Sequence, residues 1–162
     1  MAKHEKTNVM RTLERLKIPF REYCYADSGV ISGVDVAKVL GQNPNKTFKT
    51  LVTVGKSKAN YVFMIPVEAE LDLKKAAAAA GEKAVEMLKS KELLPLTGYV
   101  HGGCSPIGMK KQFRTFIHLT AENYDTIMFS AGKIGYQVEC SLPDLRRAVP
   151  AESADLTVEN MP

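Results

Sequence analysis

The segment Thr97–Gly108, TGYVHGGCSPIG, constrains this chain more than any other. Gly98, Gly102, Gly103 and Gly108, together with Pro106, exclude a regular helix or strand through it. Glycine tolerates positive φ and leaves backbone N–H groups uncovered, while proline fixes φ and removes a donor. The segment reads as a loop whose main chain a polar ligand can approach closely, directly before the basic pair Lys110–Lys111. A plain two-turn connector is the simpler alternative.

A second element adds weight to the ligand reading. Lys46–Val54, KTFKTLVTV, reads as a strand: Phe48, Leu51, Val52 and Val54 are apolar, and Thr50 and Thr53 are β-branched. Lys49 sits inside it, and an ammonium is costly to bury without a partner. Such a lysine either snorkels to an edge or faces a polar cavity, where it can contact an anionic or carbonyl ligand. Ser130, with Ala131 and Gly132 after it, follows the apolar run Thr126–Phe129. That places a hydroxyl and free N–H groups at a strand end, as either a ligand contact or a turn donor.

The chain has 162 residues, 45% hydrophobic and 25% charged, which suits one soluble domain with a sizeable core. No apolar run approaches the ~20 residues needed to span a bilayer, and no secretory signal is visible in MAKHEKTNVMRTLERLK. Cys24, Cys104 and Cys140 are an odd set without CxxC spacing, which suits a reducing cytoplasm. Net charge is +4; Ala151–Pro162 holds three acids and no base, so residues 1–150 carry +7. A bias of this size fits either simple solubility or a surface that tracks a nucleic-acid backbone.

Local patterns divide the chain into short alternating elements. Lys6–Leu16 is an amphipathic helix stopped at Ile18–Pro19, and Arg21–Tyr25 a strand. Ser32 and Asp35 cap a helix over Val34–Leu40 that Gly41 closes. The Lys49 strand forms a hairpin with Tyr61–Pro66. Asp72 opens an alanine-rich helix ended by Gly81, thin enough to pack close to a sheet, and Ser90 caps another. Phe113–Leu119, Thr126–Phe129 and Tyr136–Cys140 read as strands, with a helical turn at Thr120–Tyr124 and a last helix begun by Ser141 and Asp144. Strands interleaved with helices and at least one hairpin give an α+β chain with a mixed sheet. Residues 1–150 are expected to form one domain, and 151–162 a loose acidic tail.

Taken in order, FKTLV at Phe48–Val52, the strand ending at Pro66, ELDLKK at Glu70–Lys75, Val85-Glu86-Met87, TGYxxGGxSPxGxKK from Thr97, and DTIxxSAGKxG at Asp125–Gly135 carry a resemblance. The chain resembles the YbaK/EbsC-type family of Cys-tRNA(Pro) deacylases, freestanding relatives of the editing domain inserted in bacterial prolyl-tRNA synthetases. The match runs from about Lys6 to Leu145. It implies a curled, barrel-like mixed sheet surrounded by helices, and a trans-editing enzyme that removes cysteine from mischarged tRNA. It implies a pocket for the 3′-terminal aminoacyl-adenosine, with Lys49, Gly102 and Ser130 in the catalytic role. Tyr25, Ser32, Thr50, Gly103, Ser105, Pro106, Gly108 and Gly132 would shape the substrate site. Lys110, Lys111 and Arg114 are candidate contacts to the tRNA acceptor end, unless they are only a solvated face. Prolyl-tRNA synthetase is a partner the resemblance suggests; no membrane, metal or cofactor is called for. Many members carry an aromatic residue just before the glycine at Gly33, where this chain has Ile31-Ser32 and a shorter loop. That departure bears on the size and selectivity of the amino-acid pocket.

The reaction this family implies needs no protein nucleophile. The substrate's own thiol attacks its ester carbonyl, expels the tRNA 3′-oxygen and leaves a cyclic thiolactone. A free thiol titrates near ~8.5, so a usable thiolate fraction exists at neutral pH. Holding it beside the carbonyl is an orientation effect, and loop N–H groups can stabilise the oxyanion. Three other readings remain. Water could remove alanine or another small residue. The chain could be a non-catalytic tRNA-binding module, although it lacks the stacking aromatics of one. Cys104 could be a nucleophile with His101 or His118 as base, although free cysteine usually acts as a small apolar residue. His101, Cys104, His118 and Cys140 lack recognisable metal-ligand spacing.

Overall fold

The hairpin around Lys49 organises the molecule. In the computed structural model, which describes residues 5–159, β2 (Phe48–Gly55) and β3 (Asn60–Pro66) pair antiparallel with Lys49 opposite Ile65 and Thr50 opposite Met64. Before them come α1 (Asn8–Arg15), β1 (Arg21–Cys24) and α2 (Gly33–Leu40). After them follow α3 (Leu73–Ala80), β4 (Val85–Met87), α4 (Ser90–Thr97), β5 (Arg114–His118), β6 (Ile127–Ser130), β7 (Tyr136–Cys140), α5 (Leu142–Ala148) and β8 (Glu152–Ala154). A five-stranded mixed sheet runs β4-β2-β3-β5-β8, with β3, β5 and β8 parallel, and a three-stranded antiparallel sheet runs β1-β7-β6. The two sheets touch at the bridge between Thr47 and Met128. The fold class is the expected α+β arrangement; the sheet curls across this seam and does not close into a barrel. No helix among the described residues is long and apolar enough to cross a membrane.

Period-two alternation explains the layers. Phe63 and Ile65 of β3 face α3, where Ala76, Ala77 and Ala80 are small enough to let the helix lie against Phe116. Met64, on the opposite face, joins Val9, Met10 and Leu13 of α1 in the second core. Helix starts follow the capping residues. Thr7, Ser32, Asp72 and Ser141 each accept a hydrogen bond from a first-turn N–H. Ser90 does not: it is the first helical residue of α4, and Lys89 stands at the cap without a side-chain bond.

Residues 151–159 correct the expectation of a loose tail over 151–162, of which 160–162 lie outside the described residues. β8 extends the large sheet beside β5, and Leu156 is fully buried against Phe63, Phe116 and Ala76. Burying a leucine in an existing core outweighs the acidity of the segment, which points outward in an ion pair between Lys75 and Asp155. His118 fastens this strap: its Nδ1 accepts the N–H of Leu156 at 3.1 Å, and its Nε2 lies 3.4 Å from the Thr157 hydroxyl.

Burial holds the His118 imidazole below its ordinary titration range. Folding therefore favours the neutral ring. This stabilisation is complete above the unfolded-state value near ~6.5 and is lost as pH falls, because only the unfolded chain then binds the proton freely. Thermal melts are expected to drop below pH ~6.5, and less so in His118→Gln.

The candidate functional site

β2 has two neighbours along only part of its length. β4 pairs with it from Thr53 to Gly55, with the Leu88 N–H donating to Val52 O at 3.0 Å beyond, and the backbone bridge from β6 lies at Thr47, just before it. Between these contacts the outer edge of Phe48–Leu51 opens onto a cleft of about 800 Å³. The start of α2, the loop after α4, and the β6 and β7 ends facing each other enclose it. The structure brings Tyr25, Ser32, Lys49, Thr50, Gly102 and Ser130 together in this lining, although they span a hundred residues of sequence.

Each contributes a distinct group. Lys49 is half-buried, and among the described residues its ammonium has no hydrogen-bond or ion-pair partner. Burial lowers its pKa, against a weaker pull from the exposed carboxylate of Glu70. The Thr50 hydroxyl is buried and equally without a partner. Ser130 Oγ accepts the N–H of Gly132 at 3.1 Å, which leaves its proton free to donate into the cleft. Gly102 stands at φ +89, and its N–H has no partner among the described residues. Tyr25 is buried, and burial raises its phenol. The Ser32 hydroxyl is occupied in accepting the Asp35 N–H at 3.2 Å, so it reaches the cleft as a helix start.

The other glycine-loop residues lie behind the lining. Gly103 gives its N–H to Val100 O at 3.0 Å, and Ser105 and Pro106 are buried beneath the loop. Gly108 and Gly132 make room for Tyr99: a Cβ on them would come within 2.8 Å of the Tyr99 hydroxyl and 3.0 Å of its ring. Tyr99 in turn donates to Ile107 O at 2.5 Å and fixes the loop. Of the basic residues, Lys110 and Lys111 are exposed, with Lys110 Nζ 3.4 Å from Pro95 O. Arg114 is engaged in the fold, paired with Glu152 at 3.2 Å and lying over the Phe116 ring.

Cys104 reaches the cleft wall, but burial pushes its thiol up to about 12, which leaves almost no thiolate at neutral pH. His118 is committed to the β8 strap, whereas His101 lines the cleft. Sequence reasoning missed Gln137, a buried lining residue whose amide exchanges two hydrogen bonds with Gln42 at 2.5 and 3.1 Å. A glutamine inside the β7 pattern was the one available signal.

Residues 29–148 match the model of the aminoacyl-tRNA editing domain family. A protein of Enterococcus faecalis named as a Cys-tRNA(Pro)/Cys-tRNA(Cys) deacylase, EbsC, is 46% identical over 156 residues, covering 96% of this chain and 95% of its own length. A solved structure described as a trans-editing enzyme for prolyl-tRNA synthetase superposes with a TM-score of 0.77 at 21% identity, over 96% of this chain and 100% of that one. Another, of a hypothetical protein, gives a TM-score of 0.84 at 21% identity, over 93% and 99%. At that identity the two structures speak for the fold.

Two tests follow from the geometry of the cleft. Gly102→Ala places a Cβ 2.6 Å from Ile31 Cγ2 at a φ that side chains avoid, and is expected to cost roughly 1–2 kcal/mol in urea melts. Iodoacetamide at neutral pH should label exposed Cys24 well before Cys104 and Cys140, as read by peptide mass mapping.

Proposed function

The chain belongs to the aminoacyl-tRNA editing domain family, and from that premise we propose that it is a trans-editing deacylase that strips cysteine from mischarged tRNA(Pro). One observation carries this reading. A lysine with no ionic partner among the described residues and, next to it in the strand, a threonine whose buried hydroxyl has no partner both belong to the lining of a cleft large enough for an aminoacylated adenosine. Buried polar groups without partners cost free energy unless a ligand satisfies them.

In this reading Lys49 contacts the 3′-terminal ribose and ester. The Ser130 hydroxyl and the Gly102 N–H stabilise the oxygen that becomes negative at the tetrahedral stage. The substrate thiolate attacks the carbonyl carbon, the ester C–O bond breaks, and the 3′-oxygen leaves with a proton as the thiolactone closes. Tyr25, Ser32 and Thr50 shape the amino-acid end, and Gly103, Ser105, Pro106, Gly108 and Gly132 support the wall around Tyr99. Lys110 and Lys111 contact the acceptor-stem phosphates, and Arg114 does so only from its place beside Glu152. The enzyme works in the cytoplasm, where tRNA is charged, and prolyl-tRNA synthetase can supply the tRNA. Residues 1–150 form the editing domain, which the 151–159 strap completes. A second reading, removal of alanine by water, draws support from Ile31 at the cleft rim, an aliphatic side chain where an aromatic one would narrow the pocket.

Deacylation of tRNA(Pro) charged with cysteine, alanine or serine distinguishes these readings. Cysteine should be lost fastest, and Lys49→Ala should lower kcat/KM roughly 100-fold. Faster loss of alanine would shift the assignment to the water-driven reaction, and no loss of any of the three would sink the editing assignment.

A further inference from the structure

The ionisable side chains lining the cleft are Tyr25, Lys49, His101, Cys104 and Tyr136. At neutral pH the only formal charge these bring is cationic, and every carboxylate among the described residues lies outside the lining. Glu70 acts on Lys49 only through space from an exposed position, and Asp35 of α2, Glu68 after β3 and Glu86 of β4 are exposed on their own elements. An aminoacyl ester carries an α-amine that titrates near neutrality. A protonated amine in this cleft would meet the half-buried Lys49 without a carboxylate in the lining to offset it, and such repulsion is stronger there than in bulk water.

The cleft nonetheless contains a neutral partner suited to an uncharged amine. Gln137 of β7 is 4% exposed and lines the site. Its exchange with Gln42, just beyond the end of α2, uses one N–H and one lone pair. Whichever way the two amides are turned, Gln137 retains one donor and one acceptor. Thr47, which donates to Asn43 O at 3.0 Å and touches Gln42 Oε1 at 3.4 Å, holds that pair against the seam between the sheets.

Building on the editing assignment, we propose that this cleft selects aminoacyl ends whose α-amine is neutral, and that Gln137, positioned by Gln42, is the specificity-determining residue that receives it. The amine donates to or accepts from the remaining Gln137 amide valence, and Lys49 repels the ammonium form. Discrimination therefore depends on the substrate's protonation state as well as on the size of its side chain.

Binding of two non-hydrolysable probes tests this without interference from a reacting thiol. They are 3′-alanylamino-3′-deoxyadenosine and its desamino counterpart, 3′-propionylamino-3′-deoxyadenosine, titrated calorimetrically from pH 5.5 to 9. The alanyl probe should tighten about tenfold per pH unit up to the amine pKa near ~8 and then level off. The propionyl probe reports whatever the protein's own groups contribute, and the difference between the two courses belongs to the amine. In Gln137→Glu, which can still accept from Gln42, the difference should shrink or reverse as the ammonium gains a counter-ion. Parallel courses for the two probes, or tighter alanyl binding at low pH, overturn the proposal with the unaltered protein alone. A full difference that persists in Gln137→Glu overturns the role of Gln137. Failure of both probes to bind, together with no deacylation of any charged tRNA, sinks the editing assignment and this inference with it.

Discussion

The site depends on a strand edge that is left unpaired. Sheet edges are normally completed or blunted, because a row of free N–H and C=O groups invites pairing with another chain. Here the backbone bonds from the β4 side end at Val52 and the bridge to β6 lies at Thr47, so the edge between them lines a cleft. The helix start at Ser32, the glycine loop and the β6–β7 ends shield it from other strands. Lys49 has no ionic partner among the described residues, and this gap admits solvent and ligand to it beside an otherwise buried hairpin.

Polar contacts across the seam fix the width of that gap. Lys46 reaches the Thr126 hydroxyl at 3.1 Å and the Glu139 carboxylate at 3.5 Å, and Tyr23 donates to the same carboxylate at 2.5 Å. Thr126 also donates to Glu139. The Gln42–Gln137 pair makes a second tie a few residues along β7. Partly buried ion pairs add little net stability, but they fix which groups face one another. Their role here is to hold the small sheet against the large one so that Ser130 and Lys49 face the same space.

Much of this fold was legible locally. Caps at Ser32, Asp72 and Ser141, the hairpin, and the alanine helix all rest on contacts within a few residues, and all formed as read. Three features were not legible. The parallel pairing of β8 with β5 joins segments far apart in sequence, and acidity at Glu152 and Asp155 masked the single buried Leu156 that secures it. The sequence did not show which loop residues line the cleft and which pack behind it, because that depends on where Tyr99 comes to lie. Gln137 resembled any polar residue in a strand, since its partner Gln42 lies ninety-five positions away. Lys49, by contrast, stood out because a lone charge in an apolar strand is expensive anywhere except at a site.

The parallel strand at Glu152–Ala154 also bears on how the chain is made. A sheet whose outer strand is contributed after residue 150 cannot be completed while that segment is still inside the ribosome. Until it emerges, β5 shows a bare edge and the apolar pocket for Leu156 stays open. The interval is one in which nascent chains can pair with each other, so a chain of this design would pass through a vulnerable stage before that strand is released.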